Sequence, residues 1–292
     1  MKRIILAAVL AAMPAAAETP EEIAAILSQG NPRVAGLIAA NQTLKQAWAE
    51  DFWADALLRG PKLAGTPWRT HDFRRPQPPV VTPVMAECAG SPAPSDAVML
   101  FDGQSAAAFT GEKLALWQVA DGALTATARE NNRIATRAAF GDMRLHLEFR
   151  TPAPPRGVWQ YRGNSGVFLM ERYEVQILDS YRNPTYPDGQ MGALYGQVPP
   201  RVNASLPPGR WQCLEIDFRA PRFAKGRLTA PARVTIRHNG IVVQRNAAFR
   251  GPTAFAELKP YVPHAATLPF TLQDHGDGTS IVSFRNIWAV PR

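Results

Sequence analysis

Apolar and polar residues alternate in several segments of the second half of the chain, which is the pattern of strands that bury one face. Residues 143–150 read MRLHLEFR, so the apolar side chains share one face while the Arg, His and Glu side chains share the other. Residues 211–218 alternate in the same way, and 166–170, 173–178 and 280–290 predict further strands. The pattern therefore predicts a domain built mainly of strands.

Turn signals separate these segments. Asn239-Gly240 is a pair that a type I′ turn prefers, and it predicts a hairpin over residues 233–245. Asp102-Gly103 and Asp121-Gly122 mark two more turns. Because no helical pattern interrupts the strands, we expect residues 99–292 to form an all-β jelly-roll sandwich of two antiparallel sheets.

The first residues have the pattern of a targeting segment. Lys2 and Arg3 precede an apolar run over 4–13, and the small residues Ala15-Ala16-Ala17 follow it. We expect a signal peptide over residues 1–17 and an exported protein, either periplasmic or secreted. The apolar run is shorter than the roughly 20 residues that a membrane-spanning helix needs, and no later segment predicts an integral membrane span.

A helical extension and an irregular connector are expected between the signal peptide and the β domain. Thr19-Pro20-Glu21-Glu22 is a capping box, and helical spacing of apolar residues over 42–58 predicts a second helix, so we assign residues 18–60 to a helical extension. Residues 61–98 contain eight prolines and little periodicity. They predict an extended connector that could wrap over the β domain.

Composition narrows the classes of protein. The chain has 32 Lys and Arg against 24 Asp and Glu, a net charge of +8, but the basic residues are scattered and predict no nucleic-acid partner. Its 2 cysteines exclude a disulfide scaffold and a four-thiolate zinc site. In an oxidising compartment Cys88 and Cys213 could pair and tie the connector to the β domain, or they could remain separate thiols.

One strand carries candidate chemistry. In the segment 174–179, EVQILD, Glu174 and Gln176 share a face of a regular strand. Asp179 joins that face only if a β-bulge intervenes, and bulges often lie beside active sites. The alternative interpretation is that these residues have no function and are the solvent-facing polar side chains of an alternating strand. The five histidines are too dispersed along the chain to predict a zinc site from their spacing.

The same strand carries a resemblance to a known family. Residues 163–170, GNSGVFLM, and 172–180, RYEVQILDS, resemble the centre of the 3-keto-disaccharide hydrolase domain, whose fold is related to concanavalin-like lectins and glucanases. Further similar segments follow in the family's order over residues 99–292: LFDG at 100–103, GALYG at 192–196, NAS at 203–205, PPGRWQ at 207–212, LQDHG at 272–276 and FRNIW at 284–288.

The resemblance implies a concanavalin-like jelly roll with a sugar-binding groove on its concave face. It also implies cleavage of glycosides whose C3 hydroxyl has been oxidised to a ketone, by a 1,2-lyase step and a hydratase step. The ketone acidifies the C2 proton, so a base can remove it while the C1 substituent leaves, and water can then add to the 2-hydroxy-glucal. Such chemistry needs a general base, a group that polarises the ketone and an acid for the departing oxygen.

Two other functions stay open on the same fold. Related glucanases carry an acid-x-acid-x-x-acid strand, whereas this chain has Gln176 in the middle and the shorter Asp179 at the end. Retaining hydrolysis requires two carboxyl groups about 5–5.5 Å apart, so the replacement disfavours it without excluding a glucanase-like hydrolase. The second alternative is a carbohydrate-binding module without catalysis.

From the resemblance and the residues together, a set of site residues is expected. Catalytic acid or base roles are assigned to Glu174, Asp179 and His275. Contacts with a small carbohydrate substrate are assigned to Gln176, Asn164, Tyr195, Gln273 and Arg285. A divalent metal on Glu174, Asp179 and His275 is left open, and no organic cofactor is expected.

Overall fold

The alternation over 143–150 buries one side of a central strand. Met143, Leu145, Leu147 and Phe149 are each at most 1% exposed and lie in one apolar core with side chains from an opposing sheet. This is what period-two alternation requires when a sheet has only one face against the core. The core therefore lies between two sheets.

The computed structural model describes residues 60–72, 75–84, 90–157, 159–183 and 185–292. The predicted signal peptide, Cys88 and the predicted helical extension apart from Gly60 lie outside the described residues. Within the described part of the chain, no helix is long and apolar enough to cross a membrane.

Strands account for most of the regular structure. Their bounds are β1 Val98–Phe101, β2 Phe109–Thr110, β3 Gln118–Ala120, β4 Ala123–Thr125, β5 Asn132–Thr136, β6 Met143–Arg150, β7 Ser165–Leu169, β8 Tyr173–Ile177, β9 Gln212–Arg219, β10 Arg222–Ala224, β11 Arg227–Ala230, β12 Arg233–His238, β13 Ile241–Ala248, β14 Thr253–Ala254, β15 Glu257–Leu258, β16 Thr271–Asp274 and β17 Ser283–Pro291. Short 3-10 helices lie at Leu114–Leu116, Trp159–Tyr161 and Pro187–Gly189.

Two antiparallel sheets form the sandwich. The larger one has eight strands in the order β13-β12-β9-β6-β17-β4-β3, with β1 also paired to β17. The smaller one has five strands in the order β2-β5-β16-β7-β8. The hairpins β10-β11 and β14-β15 lie outside both sheets. This confirms the predicted all-β fold of two antiparallel sheets.

The predicted hairpin is also confirmed. β12 and β13 pair across Asn239 and Gly240, whose φ values of 51° and 79° are both positive. A type I′ turn requires this conformation at both central residues, and Asn and Gly adopt it at the lowest cost.

The polar face of β6 departs from simple alternation. His146 and Glu148 are at most 1% exposed, although they point away from the core. Arg285 binds the Glu148 carboxylate at 2.7 Å, and the Gly90 amide donates to it at 2.9 Å. The His146 ring stacks on Trp288 at 4.8 Å. A second buried layer, to which the connector contributes, therefore covers this part of the outer face of the eight-stranded sheet.

The connector does lie against the β domain. The Val81 amide donates to the Asn203 carbonyl at 3.0 Å, and the Val84 amide donates to the Asn239 carbonyl at 2.8 Å. The described connector residues are mostly irregular, with isolated bridges at Lys62–Arg69 and Val80–Asn203.

Candidate active site

A cavity of about 540 Å³ opens on the outer face of the five-stranded sheet. Its floor comes from four strands and carries Arg133, Phe168, Glu174, Gln176 and Gln273. Its walls come from loops and short elements and carry Asn131, Gln160, Tyr161, Asn164, Tyr195, Thr253, Ala254, Phe255, His275, Gly276 and Asp277. Mixed aromatic and amide walls are typical of a site for a small polar ligand.

Strand alternation explains why these floor residues face the cavity. On β8, Tyr173, Val175 and Ile177 lie in the core, so Glu174 and Gln176 must point to the opposite side. Phe168 lies opposite Glu174 and Gly166 lies opposite Gln176 in a regular β7–β8 ladder.

Gly166 makes room for the floor. A Cβ atom there would lie 2.5 Å from Glu174 Oε1 and 2.8 Å from the Phe168 ring. A side chain at this position would therefore displace both groups. The glycine of the GNSG segment thus has a steric reason to be there.

Glu174 is a buried acid. Its side chain is 7% exposed, and burial raises its pKa to about 8, against the opposing charge of Arg133. Arg133 lies over the Phe168 ring at 3.4 Å from its centroid, and burial lowers its own pKa. The cavity floor therefore holds a carboxyl group that favours its protonated form beside a fixed cation.

A series of amide contacts runs from the Gly189 carbonyl through Gln160 and Gln176 to Glu174. The Gln160 amide donates to the Gly189 carbonyl at 2.9 Å, and Gln160 Oε1 lies 2.9 Å from the amide of the fully buried Gln176. The other end of the Gln176 amide lies 3.2 Å from Glu174 Oε1. If that end is the oxygen, Glu174 must carry the proton between them. If it is the nitrogen, it donates to Glu174. The orientation of Gln176 is thus linked to the protonation of Glu174.

His275 forms a dyad with Asp277. Its Nδ1 lies 3.0 Å from Asp277 Oδ2, and the Ser280 hydroxyl donates to the same oxygen at 2.7 Å. Thr279 and Ser280 amides donate to Asp277 Oδ1 at 2.8 and 2.7 Å. Burial opposes ionisation of Asp277, but these hydrogen bonds, with those of His275, outweigh it and lower its pKa. An ionised Asp277 holds the proton on Nδ1, which makes Nε2 the basic nitrogen.

The cavity brings together most of the residues that the sequence predicted. Among its lining residues are Glu174, His275, Gln176, Asn164, Tyr195 and Gln273. Tyr195 bonds the Tyr186 hydroxyl at 2.9 Å, and burial raises its pKa.

Asp179 and Arg285 are not among the lining residues. The bulge that would turn Asp179 towards Glu174 is absent from the regular β7–β8 ladder, and β8 ends at Ile177. Asp179 instead binds Arg162 Nε at 2.7 Å. Arg285 lies in β17 of the other sheet, where it binds Glu148 and lies 4.3 Å from the Trp211 ring centroid. Neither placement supports the role expected from the sequence.

The possible metal site finds no support in the donors. Among the described residues, no group of three or more His, Cys, Asp or Glu side chains is arranged to hold a metal ion. Asp179 is turned to Arg162 and His275 is engaged by Asp277. The residues present do not fit a metal on Glu174, Asp179 and His275.

Other cavity residues went unnoticed in the sequence. Asp277 stands two positions after His275, a spacing that could have suggested a local carboxylate–imidazole pair. Arg133 had no such signal, because it reaches the site only through the pairing of β5 with Gln273 of β16. Phe168 and Phe255 look like core residues by composition alone.

Together the cavity offers a protonated carboxyl group, an imidazole with an orienting carboxylate, and a cation. Amides and aromatic rings surround them. These groups can transfer two protons and stabilise one developing negative charge.

Comparison with known proteins places the chain in a family. The sequence profile of the 3-keto-alpha-glucoside-1,2-lyase-like domain matches residues 96–290. A crystal structure from Parabacteroides distasonis, named as a candidate glycosyl hydrolase, is 40% identical, with a TM-score of 0.66 over 78% of this chain and 99% of that one. A second such protein from the same organism is 23% identical, with a TM-score of 0.48 over 67% of this chain and 99% of that one.

A search of curated proteins gives no significant match. The family profile nevertheless covers well over half of the chain, and it includes every residue that lines the cavity. The chain therefore belongs to the family of 3-keto-alpha-glucoside-1,2-lyase-like domains, and it is a carbohydrate-active enzyme.

Proposed function

We propose that this enzyme cleaves 3-keto-glycosides by removing the C2 proton and eliminating the C1 substituent. One observation carries the proposal: a carboxyl group that favours its protonated form and an Asp-supported imidazole line the same cavity. An elimination of this kind needs one acid and one base, and these two groups can supply them.

The first step uses both groups. His275 Nε2 takes the C2 proton while Glu174 gives its proton to the oxygen that leaves C1. Negative charge develops on the ketone oxygen at C3, and the Arg133 guanidinium stabilises it. The products are the freed alcohol and a 3-keto-2-hydroxy-glucal.

The second step reverses the proton transfers. Water adds to C1 of the glucal and gives a proton to the Glu174 carboxylate, while the His275 imidazolium returns a proton to C2. The net reaction is hydrolysis, and both residues regain their starting states.

Substrate positioning falls to the amides and rings. Gln176, Asn164 and Gln273 line the cavity with donors and acceptors that match sugar hydroxyls. Tyr195 and Phe255 supply aromatic surface for the apolar face of a sugar ring. Asp179 then has a positioning role, since its ion pair with Arg162 fixes the chain beyond β8.

The remaining carboxylate in the cavity argues against retaining hydrolysis. Asp277 is 4% exposed and accepts hydrogen bonds from His275, Thr279 and Ser280. A retaining glycosidase needs a second carboxylate directed at the sugar, about 5–5.5 Å from the first. A carboxylate engaged in this way is poorly placed to act as a nucleophile.

One assay separates the three candidate functions. Purified enzyme is incubated with a 3-keto-disaccharide and with the same disaccharide unoxidised, and products are followed by mass spectrometry. We expect consumption of the oxidised sugar alone. Cleavage of the unoxidised sugar would support a glucanase-like hydrolase, and binding of the oxidised sugar without consumption would support a binding module.

Running the reaction in heavy water tests the mechanism. Because His275 holds the abstracted proton until one is returned to C2, the released 3-keto-sugar should carry one deuterium there when the imidazolium exchanges with solvent between the two steps. A no-enzyme incubation of the product controls for spontaneous exchange next to the ketone. Enzymatic product without deuterium at C2 would mean that the same proton is returned or that no elimination occurs, and a primary kinetic isotope effect with a C2-deuterated substrate separates these two outcomes.

Export is a separate part of the proposal. The predicted signal peptide over 1–17 implies a mature chain that begins near Glu18 and an oxidising compartment in which Cys88 and Cys213 can pair. N-terminal sequencing of the protein from cell fractions tests the first point. Mass spectrometry with and without reductant tests the second, with a gain of two hydrogens expected on reduction.

A further inference from the structure

The connector places a buried histidine behind the candidate active site. His71 is 0% exposed and precedes residues 96–290, the part of the chain that matches the family. Its main-chain amide donates to Asp188 Oδ2 at 3.0 Å, and Arg75 binds the same carboxylate oxygen at 3.1 Å. These contacts tie the connector to the 3-10 helix Pro187–Gly189.

The His71 ring contacts two separate walls of the cavity. Its centroid lies 5.1 Å from that of Tyr195 and 5.0 Å from that of Phe255, on which it stacks at 19°. It also lies 4.3 Å from the Tyr186 ring, whose hydroxyl bonds that of Tyr195. Tyr195 and Phe255 both line the cavity.

A hydrogen bond also holds the part of the cavity wall that carries Phe255. The Ala256 amide donates to His71 Nε2 at 3.1 Å. Ala256 follows the lining residues Thr253, Ala254 and Phe255, in the turn between β14 and β15. The ring thus holds this turn by stacking and by a hydrogen bond at once.

The connector packs closely against the chain beside Tyr195. A Cβ atom on Gly196, the residue after Tyr195, would lie 3.1 Å from Thr70 Cγ2 and 3.2 Å from His71 Cε1. The positive φ of 68° at Gly196 also favours glycine. The chain beside Tyr195 is therefore shaped to receive the connector.

His71 is suited to positioning rather than to proton transfer. Burial, helped by the charge of Arg75, lowers its pKa to about 3, so the ring is neutral at physiological pH. Because Nε2 accepts the Ala256 amide, the proton is on Nδ1. The contacts of His71 with its neighbours therefore depend on the shape of the ring and on Nε2 as a hydrogen-bond acceptor.

We propose that His71 is a positioning residue that fixes Tyr195 and Phe255 against the sugar ring, so that the connector completes a site which residues 96–290 do not complete alone. The inference rests on the proposed function only for the identity of the sugar. The expected consequence of losing the ring is weaker sugar binding with the chemistry largely intact.

Substrate kinetics on the full chain test this. Losing the ring contacts with Tyr195 and Phe255 in His71→Ala should raise KM about tenfold and leave kcat within about threefold. His71→Gln, which can still accept the Ala256 amide, should recover part of the loss. Leu63→Ala is the matched control, since Leu63 is 1% exposed in the same connector and does not line the cavity. It should lower Tm without a change in KM.

A second measurement does not depend on any substrate. Hydrogen exchange followed by mass spectrometry should be faster over residues 253–256 in His71→Ala and unchanged there in Leu63→Ala. Equal KM and equal exchange in the two variants would overturn the positioning role. Absence of turnover by the unmodified enzyme would instead refute the proposed function, and the exchange result would still decide the role of His71. If His71→Ala does not fold, the same comparisons are made with His71→Gln and His71→Phe.

Discussion

Two buried glutamates, one on the outer face of each sheet, differ in what surrounds them. Glu174 on the five-stranded sheet is 7% exposed, and Glu148 on the eight-stranded sheet is 1% exposed. Burial raises the pKa of Glu174 to about 8, opposed by the charge of Arg133. Burial acts on Glu148 in the same direction, yet its pKa is lowered to about 2.

Hydrogen bonding explains the difference. Glu148 is contacted by Arg285 Nε and Nη2, by the Asn286 amide and by the Gly90 main chain at 2.7–3.0 Å. These donors, together with His146, outweigh the cost of burial. A carboxylate surrounded by donors is a structural element, whereas Glu174, which has the Gln176 amide and the charge of Arg133 near it, remains available to exchange a proton.

The largest expected effect separates the two glutamates. Glu174→Gln should reduce kcat on a 3-keto-disaccharide by at least about 100-fold, because it removes the proposed acid, with Tm unchanged or higher. Glu148→Gln should leave kcat nearly unchanged and lower the free energy of unfolding by about 1–3 kcal/mol, since Arg285 loses a charged partner. Steady-state kinetics and thermal unfolding of both variants make the comparison. Equal losses of activity would remove the distinction.

The pH dependence of the rate is expected to report Glu174. Because the first step needs a protonated Glu174, kcat/KM should fall about tenfold per pH unit above about pH 8. This decrease in kcat/KM is measured with the 3-keto-disaccharide between about pH 6 and about pH 10, after correction for spontaneous elimination. A rate that is flat to pH 10 would argue against Glu174 as the acid.

Stability should respond to pH in opposite directions at the two sites. The folded chain binds the Glu174 proton more tightly than the unfolded chain, so this contribution to stability is lost as pH rises from about 4.5 to about 8. Glu148 contributes stability above about pH 4.5 that is lost as pH falls towards about 2. As pH rises above about 4.5, the Tm of the unmodified chain should therefore fall relative to that of Glu174→Gln. As pH falls below about 4.5, the Tm of the unmodified chain should fall relative to that of Glu148→Gln.

The smallest effect on activity is expected from a substitution of Arg285. Since it binds Glu148 on the other sheet, Arg285→Gln should change KM by less than about twofold, and it should lower Tm because a carboxylate that is 1% exposed loses its cationic partner. Asp179→Asn offers the contrasting case, because it weakens a buried ion pair next to the site. A large loss of kcat without loss of Tm in Asp179→Asn would restore the catalytic role that the sequence suggested.

The sequence was most informative where a local rule operates. The alternation over 143–150, the Asn239-Gly240 turn and the absence of helical spacing predicted the strands, a hairpin and the two-sheet fold. Glu174 and Gln176 could be placed on one face because the side-chain period of a strand is two residues. The family segments then pointed to the cavity that the five-stranded sheet forms.

Local rules could not predict which strands that are distant in the sequence pair with each other. Arg285 is followed by a register shift in the β6–β17 ladder, and its side chain meets Glu148 rather than the cavity. Asp179 was expected to turn inward through a bulge that the β7–β8 ladder does not contain. Arg133 reaches the site because β5 pairs with β16, a contact between residues 140 positions apart in the chain.

By itself the sequence determined the class of fold, the family and the strand that carries the acid, because these depend on local periodicity and on short ordered motifs. The tertiary structure alone decided which other groups meet that acid. It brought together His275 with Asp277, Arg133 from a distant strand and His71 from the connector. It also shifted the pKa values of two buried glutamates in opposite directions, since burial, nearby charges and the donors within hydrogen-bond reach shift a pKa from the value of the residue type.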